Sequence, residues 1–511
     1  MHDGPNDLSG RRPTLAQLHR ATARGRLTRL AVDIGGTFTD VVLEMAGRHF
    51  TTKVLTTPRA PEQGVMAGFD KIRALSGGDP GDISLVIHGT TLATNALIER
   101  RGAKTALVVT SGHRDALEMA HENRFEQYDI SIDRPVPLVP RHLRLPVTER
   151  IDKNGNVLVP LDEGSVRALV PVLIEKEIES VAVGLLHAYA NPRHERRIRE
   201  LLLEAEPSLS VTLGSEVCPE VREYERLSTA CANAYVQPLM SRYLGSLSEA
   251  LTQAGVRCPF LLMTSGGGLT TLETATAFPI RLVESGPAGG VILASHVARQ
   301  CGLDRVISFD MGGTTAKLSI VDGAQPQSSR HFEVARSYRF RKGSGLPVRV
   351  PVIEMVEIGA GGGSIASVDS MSQIRVGPQS AGSEPGPASY GKGGERPTVT
   401  DADVALGRLD PSRFAGGSIS IDPTLAKSAV MAHVGAPLGL DVDLAALGIS
   451  ELVDENMANA GRTHAIEWGK GVDGRAMVAF GGSAPIHAAR LMEKLDLDRV
   501  VVPNHAGVGS A

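Results

Sequence analysis

The chain has 511 residues, of which 42% are hydrophobic and 22% charged, and its formal net charge is −4. A chain of this length predicts two or more domains. No basic stripe stands out, so we expect no nucleic acid partner, and no apolar run approaches the roughly 20 residues that a membrane span requires. The four cysteines lack CxxC spacing, which predicts reduced thiols and a cytoplasmic location.

The first half of the chain begins with strands and continues as alternating helices and strands. Residues 1–28 are predicted to be a polar extension without the apolar core of a signal sequence. The other predicted elements of this half are three strands within 29–57, a helix over 61–76, a strand ending at His88, a helix from Ala93, a strand over 104–110, an irregular insertion near 113–160, helices and strands over 166–213, a long helix pair over 225–254 and a strand over 259–263. This order predicts a mixed sheet flanked by helices, in a first domain over 29–300.

The second predicted domain, over 301–511, opens on another strand and glycine turn. It continues with a Gly- and Pro-rich insertion near 325–410, helices over 424–468, a strand, turn and helix over 476–495 and a last strand over 499–502. Residues 503–511 follow that strand, and a parallel sheet normally has both faces covered. We therefore expect either that the chain is shortened at its C-terminus or that a partner subunit covers this face.

Two short segments, DIGGTFTD at 33–40 and DMGGTTAK at 310–317, repeat one pattern. Each follows an apolar run and leads into another, which predicts a β-hairpin with a glycine turn. Paired glycines leave no Cβ between a ligand and the backbone N–H groups, so such a turn suits anionic oxygens. A single Gly-Gly hairpin is also explained by turn geometry alone. Two copies with the same Asp and Thr predict a pair of phosphate-binding turns that face each other across a nucleotide cleft.

These two turns supply most of the candidate site residues. The predicted phosphate contacts are the glycines and threonines of the turns: Gly35, Gly36, Thr37, Thr39, Gly312, Gly313, Thr314 and Thr315. Asp33 and Asp310 end the strands that enter the turns, and we predict that they hold magnesium-linked water and position the nucleophile. The alternative is that each Asp only supports its turn.

Three further residues have two explanations each. His88 ends a strand near the predicted cleft and is a candidate to polarise a substrate or bind metal, although a lone histidine is commonly structural. Arg124 and Tyr128 are either a substrate clamp or part of a surface loop.

Two other motifs also need a choice between explanations. Asp401 and Asp403 are either metal ligands or, as we favour for Asp401, part of a helix cap. The GAGGGS segment at 359–364 lacks the long helix and the acidic residue of a dinucleotide-binding motif. We expect a close approach of its backbone to a ligand instead.

Two similar halves with a phosphate hairpin each resemble the actin, hexokinase and heat-shock ATPase superfamily. That resemblance implies duplicated ribonuclease-H-like α/β domains with a nucleotide cleft between them, and a place for Gly481 and Gly482 against adenine and ribose. Within the superfamily the chain resembles the hydantoinase A / 5-oxoprolinase family. The phrases that carry this resemblance lie between residues 30 and 491: LAVDIGGTFTDVV, HGTTLATNALIER, CPEVREYERLSTACANAYV, SGPAGGV, IGAGGGSIA, VGPQSAGSEPGPASYGKGG, PTVTDADVALGRLDP and MVAFGGSAPIHAARL.

The family resemblance implies a reaction. Family members hydrolyse cyclic amides such as hydantoins or 5-oxoproline at the expense of ATP, and relatives carboxylate ketones. Phosphorylation of the carbonyl oxygen makes that oxygen a leaving group, so the protein supplies mainly positioning and charge neutralisation. We therefore expect an A-type subunit that uses ATP with Mg²⁺ or another divalent metal, hydrolyses a cyclic amide and forms a hetero-oligomer with a separate B-type subunit.

Alternatives to this substrate and this reaction remain open. Lys317 and Glu354 depart from the residues that many hydantoinases and oxoprolinases carry, and they resemble the branch with the acetophenone carboxylase subunits. A ketone carboxylase subunit is therefore the alternative function. A small-molecule kinase is less favoured because HGTTLATN at 88–95 offers no catalytic Asp, and an actin-like assembly protein would lack substrate-stimulated ATPase activity. The residues expected on the substrate side of the cleft are Thr90, Thr91, Asn95, Arg124 and Glu354.

Overall fold

The computed structural model describes residues 27–57, 59–122, 124–336, 338, 342–414 and 420–511. Nearly all of the predicted extension over 1–28 lies outside the described residues. The strands, β1 to β24 in chain order, are Thr28–Ile34, Phe38–Met45, Arg48–Leu55, Ile83–Thr90, Thr105–Thr110, Arg144–Val147, Arg150–Ile151, Val157–Val159, Ser180–Gly184, Ser210–Leu213, Phe260–Met263, Leu269–Thr271, Arg305–Met311, Ala316–Asp322, Gln325–Pro326, Ser328–Ser329, Phe332–Val334, Leu346–Val348, Val352–Ile353, Val356–Ile358, Ser364–Val368, Ile374–Ser380, Ala476–Phe480 and Arg499–Val501.

The helices cover the connections between these strands and much of the second half. The α-helices of the described chain are Pro61–Ser76, Leu92–Ile98, Ala116–Met119, Glu163–Arg167, Val170–Glu175, Arg193–Ala205, Gly214–Val217, Glu223–Gln253, Leu272–Ala277, Ser285–Gln300, Val399–Ala405, Pro423–Val430, Ala436–Leu438, Val442–Glu467 and Ala484–Leu495. Among the described residues, no single helix has the length and apolar character of a membrane span; Pro423–Leu438 and Val442–Glu467 meet that test only as a pair bent by 90°.

The first glycine turn lies at the end of two inner strands of the first sheet, β1 and β2. Its six strands have the order β12-β11-β4-β1-β2-β3. β1, β2 and β3 are antiparallel, whereas β4 runs parallel to β1 and β11 runs parallel to β4. Leu30, Val32 and Ile34 alternate along β1 and are buried, so Asp33 projects from the opposite face of the strand.

The main sheet of the second half has the same connectivity. Its strands follow the order β15-β14-β13-β23-β24, with β20 also paired to β14. β13 and β14 form the antiparallel hairpin, β23 runs parallel to β13, and β24 runs parallel to β23. Ile307, Phe309 and Met311 are buried on one face of β13, and Asp310 again lies on the other. The duplicated α/β architecture predicted from the repeat is therefore confirmed.

A second sheet in the first half was not expected. Four parallel strands in the order β10-β9-β5-β6 form it, and they lie in the chain between β4 and β11. The predicted mixed sheet is present, but the strand over 104–110 belongs to this second, parallel sheet, and Arg144–Val147 gives regular structure to part of the stretch expected to be irregular. Hydrophobic periodicity identifies a strand, but it does not say which strand will be its neighbour.

The expected helix pair over 225–254 is one helix, Glu223–Gln253, with Pro238 inside it. A proline in a helix interior removes one backbone hydrogen bond and costs about 3 kcal/mol. Residues 225–236 are buried without interruption, because this helix packs on β9 and β10 of the parallel sheet. That packing offsets the cost of Pro238, and a helix that is buried all round carries no clear amphipathic signal.

Part of the second-half insertion packs into the first half. Val334, Leu346 and Val348 belong to the same hydrophobic core as β1 and β4. The backbone N–H of Arg349 donates to the Thr229 hydroxyl of the long helix at 2.9 Å. The chain thus crosses back after residue 300, and the expected division into domains at that point stays a prediction.

A buried Asp–His–Asp cluster joins three helices of the second half. His487 Nδ1 lies 2.8 Å from Asp454 Oδ1, and its Nε2 lies 3.2 Å from Asp403 Oδ2. Burial alone would lower the pKa of His487, but the hydrogen bonds and charges of Asp403 and Asp454 outweigh burial and raise this pKa to about 9. A histidine with a raised pKa stabilises the fold below its ordinary pKa, and this stabilisation is lost as pH rises through the raised value.

We predict that His487→Gln lowers the free energy of unfolding at pH 7 by about 3 kcal/mol, because it leaves two buried carboxylates without their cation. Urea unfolding at pH 7 and at pH 9.5 measures the effect, and the difference from wild type should shrink at the higher pH. His433→Gln, at an exposed position in the π-helical turn Met431–Gly435, is the matched control. A difference that does not depend on pH would contradict the charged state of His487.

Candidate active site

The two glycine turns meet at the bottom of a cleft. The Gly35 N–H donates to Phe38 O at 2.9 Å, and the Gly312 N–H donates to Thr315 O at 3.1 Å, so both turns close in the same way. The hydroxyl oxygens of Thr37 and Thr314, 277 positions apart in the chain, are 3.4 Å from each other. The predicted pair of facing turns is present.

A cavity of about 890 Å³ opens above this contact. Twelve of the predicted site residues line it: Asp33, Gly35, Gly36, Thr37, Thr91, Asp310, Gly312, Gly313, Thr314, Thr315, Gly481 and Gly482. Side chains from both halves complete the wall, among them Phe38 and Leu75 from the first half and Tyr390 and Phe414 from the second. The cavity therefore combines a polar floor of turns and carboxylates with an apolar mouth.

Glycine is required where the backbone passes these carboxylates. A Cβ on Gly286 would lie 2.5 Å from Asp33 Oδ1, and a Cβ on Gly481 would overlap Asp310 Oδ1. Gly481 also has a φ of +93°, a conformation that side chains with a Cβ rarely adopt. Each Asp is thus held against a glycine from a distant part of the chain.

The GAGGGS segment makes its close approach to the second turn. The Gly362 N–H donates to Gly312 O at 3.0 Å, and the Gly363 N–H donates to Gly313 O at 2.6 Å. A Cβ on Gly361 would lie 2.5 Å from the carbonyl carbon of Thr314. These glycines hold the second turn in place through backbone hydrogen bonds, and Gly363 also lines the cavity.

The cavity floor carries three carboxylates that lack full compensation. Burial raises the pKa of Asp33 to about 7, and the negative charges of Asp40 and Asp310 add to the shift, while a hydrogen bond from Ser510 opposes it. Burial likewise raises the pKa of Asp310 to about 6 although the charge of Lys317 opposes the shift. Burial also raises the pKa of Asp40, which is paired with Lys53. Such shifts collect where a site is arranged to receive a cation or a proton.

These carboxylates fit a magnesium ion that is shared with a phosphate. Asp33 Oδ1 is buried without a hydrogen-bond partner. Among the described residues, no group of three or more His, Cys, Asp or Glu side chains is arranged to hold a metal by itself. Magnesium commonly takes one or two carboxylates and completes its shell with water and substrate phosphate oxygens. Asp33 and Asp310 match that incomplete protein shell.

Several predicted residues lie outside the cavity lining. The Thr39 hydroxyl is buried 3.1 Å from the Thr56 hydroxyl. Thr90 is also buried, and its backbone N–H donates to the Ser285 hydroxyl at 3.0 Å. Apart from His88, the other predicted residues away from the lining are Asn95, Glu354 and two exposed residues, Arg124 and Tyr128. Their roles toward phosphate or substrate stay predictions.

His88 has a structural explanation for both of its ring nitrogens. It is 1% exposed, its Nδ1 lies 3.1 Å from Val32 O, and its Nε2 lies 2.8 Å from the Tyr243 hydroxyl. Burial lowers the pKa of His88 to about 4, so the ring is neutral at pH 7. Its catalytic role stays a prediction, and these contacts describe a satisfied core histidine.

The two acidic residues of the TVTDAD motif also have structural partners. Thr398 and Asp401 form a reciprocal capping box at the start of helix Val399–Ala405. The Asp401 carboxylate also accepts the backbone N–H of Ser389 at 2.8 Å. The helix cap that we favoured for Asp401 is confirmed, and Asp403 faces His487 in the buried cluster.

Sequence reasoning missed several charged residues of the site. Asp40, Lys53 and Lys317 line the cavity, and Glu284 contacts Lys317. The register of the two hairpins would have identified Asp40 and Lys317. Asp33 pairs with Asp40 across β1 and β2, and Asp310 pairs with Lys317 across β13 and β14. Cross-strand partners share one face of a sheet, so a residue opposite each Asp had to point into the same cleft.

Comparison with known proteins shows the family. The hydantoinase/oxoprolinase family profile matches residues 226–511, and the profile of its N-terminal region matches residues 29–205. The caprolactamase subunit alpha of Pseudomonas jessenii is 37% identical, over 94% of this chain and 68% of that protein. The acetophenone carboxylase gamma subunit of Aromatoleum aromaticum is 34% identical, over 94% of this chain and 66% of that protein.

Two solved structures show the same fold. Nucleotide-free acetone carboxylase aligns with a TM-score of 0.82 and 28% identity, over 95% of this chain and 69% of that chain. The ATP-dependent caprolactamase from Pseudomonas jessenii aligns with a TM-score of 0.78 and 36% identity, over 94% of this chain and 70% of that chain. With its two facing glycine turns and its matched profiles, this chain belongs to the hydantoinase/oxoprolinase family.

Proposed function

We propose that this chain is the ATP-binding, A-type subunit of an enzyme that hydrolyses a cyclic amide after phosphorylating its carbonyl oxygen. The observation that carries this proposal is the 3.4 Å approach of Thr37 and Thr314 across a cavity floored by buried carboxylates. Two opposed glycine turns suit a polyphosphate, because each offers backbone and hydroxyl donors to phosphate oxygens. The ATP dependence of the caprolactamase relative supports the choice of nucleotide.

The nucleotide would lie in the cavity above the contact of the two turns, with its phosphates against both turns and its base toward the second half. Gly481 and Gly482 line the cavity immediately before the helix Ala484–Leu495, where they would contact ribose and adenine. Asp33 and Asp310 would hold Mg²⁺ together with phosphate oxygens. The bound ion would neutralise charge on the transferred phosphoryl group.

The proposed reaction has two steps. In the first, the amide oxygen attacks the γ-phosphorus, the bond to ADP breaks, the amide N–H proton is released, and an O-phosphorylated imidate forms. In the second, water adds to the imidate carbon, cleavage of the C–N bond leaves an amine and an acyl phosphate, and a second water hydrolyses the acyl phosphate to a carboxylate and inorganic phosphate. The residues of this chain position the phosphates and exclude bulk water in the first step.

A B-type subunit is the proposed partner for the complete reaction. The relatives with named activities include an alpha subunit of a caprolactamase and a gamma subunit of a carboxylase. Such names imply that each of those proteins works together with other chains. We extend that organisation to this chain as a proposal, and the cytoplasmic location expected from its thiols stays a prediction.

A ketone carboxylase subunit is the second candidate. The similarity to the acetophenone carboxylase gamma subunit and to acetone carboxylase favours it. The same cleft would then phosphorylate the oxygen of an enol instead of an amide. Both candidates require one phosphoryl transfer to an oxygen, and they differ in the acceptor.

An ATPase assay over hydantoins, lactams and aryl ketones, with and without a candidate B-type subunit, separates these reactions. Asp310→Asn should reduce substrate-stimulated turnover by about a hundredfold or more, because it removes a metal-positioning charge, and the circular dichroism spectrum should not change. Asp304→Asn, exposed just before β13, is the control. Normal turnover in Asp310→Asn would remove the second turn from the mechanism.

The raised pKa of Asp33 predicts an unusual stability effect. Without nucleotide, Asp33→Asn should raise the Tm at pH 8 by a few degrees, because the wild type carries a buried, ionised carboxylate there. The gap should grow as pH rises from about 4 toward the folded pKa of about 7, and stay constant above it. Mg²⁺ with ATP should raise the Tm of the wild type more than that of the variant.

Thermal unfolding between pH 4 and pH 9 provides this measurement. Asp70→Asn, at an exposed position of helix Pro61–Ser76, is the matched control and should follow the wild type throughout. Equal Tm values for wild type and Asp33→Asn at every pH would show that Asp33 is not a strained, cation-receiving carboxylate.

A pair of variants separates the two roles of His88. His88→Ala and Tyr243→Phe both break the 2.8 Å hydrogen bond, and each should lower the free energy of unfolding by roughly 1–3 kcal/mol. If His88 acts only in the core, neither variant changes kcat per folded molecule. A loss of kcat in His88→Ala that Tyr243→Phe does not share would establish the catalytic role.

A further inference from the structure

One lysine at the cavity floor interrupts the symmetry of the repeat. Lys317 is the cross-strand partner of Asp310, at the position that Asp40 holds opposite Asp33. The neighbouring strand in each sheet shows the same reversal of charge. Asp40 pairs with Lys53 across β2 and β3, whereas Lys317 pairs with Glu357 across β14 and β20. Equivalent places in the two halves therefore carry opposite charges.

The ammonium group of Lys317 is held by two carboxylates. Its Nζ lies 2.7 Å from Glu284 Oε2 and 3.4 Å from Glu357 Oε1, and its side chain is 11% exposed. Burial would lower the pKa of Lys317, but the charges of Glu284 and Glu357 outweigh burial and keep this pKa above its usual range. An ammonium group has three N–H donors. Glu284 accepts one of them and Glu357 lies at ion-pair distance, so at least one N–H remains for a ligand in the cavity that Lys317 lines.

Glu284 is itself fixed in an unfavourable backbone conformation. Its φ is +59°, in the left-handed region that residues with a Cβ seldom occupy. Its backbone N–H donates to the Thr94 hydroxyl at 3.1 Å, and its side chain is 6% exposed. Strain of this kind persists where surrounding structure holds it and is concentrated at functional sites. Glu284 thereby links the first half to a cation on the second hairpin.

The location of Lys317 suits the phosphate end of a nucleotide. The charge of Lys317 acts on Asp310, one of the two proposed magnesium-holding carboxylates. Asp33, Asp40 and Asp310 make the floor acidic, so a polyphosphate needs cations there besides a metal ion. Lys53 is paired with Asp40 on the opposite turn, and Lys317 supplies a cation beside the second turn.

We propose that Lys317 is a catalytic residue that binds the terminal phosphates of ATP, with Glu284 and Glu357 as the residues that position it. This inference rests on the proposed ATP-dependent function. Charge on the phosphates shifts toward the leaving ADP oxygen as the γ-phosphoryl group departs, and a fixed ammonium group at that place stabilises this charge. The free N–H donor of Lys317 supplies the contact, and no proton leaves the lysine.

Nucleotide affinity measures this contact directly. Calorimetric titration of the full chain with ATP, ADP and AMP, each with Mg²⁺, should show ATP binding about tenfold to a hundredfold weaker in Lys317→Met, as expected for one lost charge-assisted hydrogen bond. AMP binding should stay within about twofold of wild type because AMP lacks the terminal phosphates. Lys317→Arg keeps the charge and should retain most of the ATP affinity.

A double variant separates binding from folding. Lys317→Met alone leaves Glu284 buried without its cation, which destabilises the chain. Lys317→Met with Glu284→Gln removes both charges, so its Tm should recover toward wild type while its ATP affinity stays weak. Lys470→Met is the matched control. Lys470 pairs with Asp322, which lies at the end of β14 opposite to Lys317. Its ATP affinity should equal that of the wild type.

The outcomes distinguish this inference from the function on which it rests. A wild-type chain that binds no ATP overturns both. A wild type that binds ATP, together with a folded double variant of equal ATP affinity, overturns the role of Lys317 alone. Equal weakening of ATP and AMP binding would likewise show that Lys317 only maintains the shape of the cleft.

Discussion

The approach of two glycine turns to within 3.4 Å at Thr37 and Thr314 is the constraint on which the rest of the site depends. A Cβ at Gly313 would lie 3.1 Å from the Thr37 hydroxyl, so the hydroxyl would have to shift to admit it. Each turn joins the two strands of a hairpin, and the sheet that contains the hairpin has the same strand order in both halves. The cleft therefore follows from the contact between equivalent turns of two copies of one sheet topology.

This arrangement places charge where the protein alone does not compensate it. Asp33 is buried and Asp310 is half-buried, both have raised pKa values, and burial of an uncompensated carboxylate reduces stability. Charged residues elsewhere in the fold face opposite charges, as in the cluster of His487 with Asp403 and Asp454. The contrast identifies the cleft as the place where uncompensated charge lowers stability, which is common at functional sites.

The repeat in the sequence was enough to predict the two facing glycine turns, and the resemblance to the actin and hexokinase superfamily added the duplicated fold. Asp33 and Asp310 were expected at the ends of the strands that enter the turns, and both line the cavity. The same reasoning gave His88 a position near the cleft, since it ends a strand beside β1. It did not predict Tyr243, which comes from the long helix and whose hydroxyl forms a hydrogen bond with Nε2 of His88.

The sequence by itself determined what local periodicity and turn chemistry encode: the hairpins, the glycine turns, the capping box at Asp401 and most element boundaries. The tertiary structure decided which distant elements meet. It separated β5, β6, β9 and β10 into their own sheet, and it brought Glu284 against Lys317 across the two halves. Local patterns depend on the few residues that neighbour each position along the chain, whereas these pairings depend on burial of whole surfaces contributed by segments far apart.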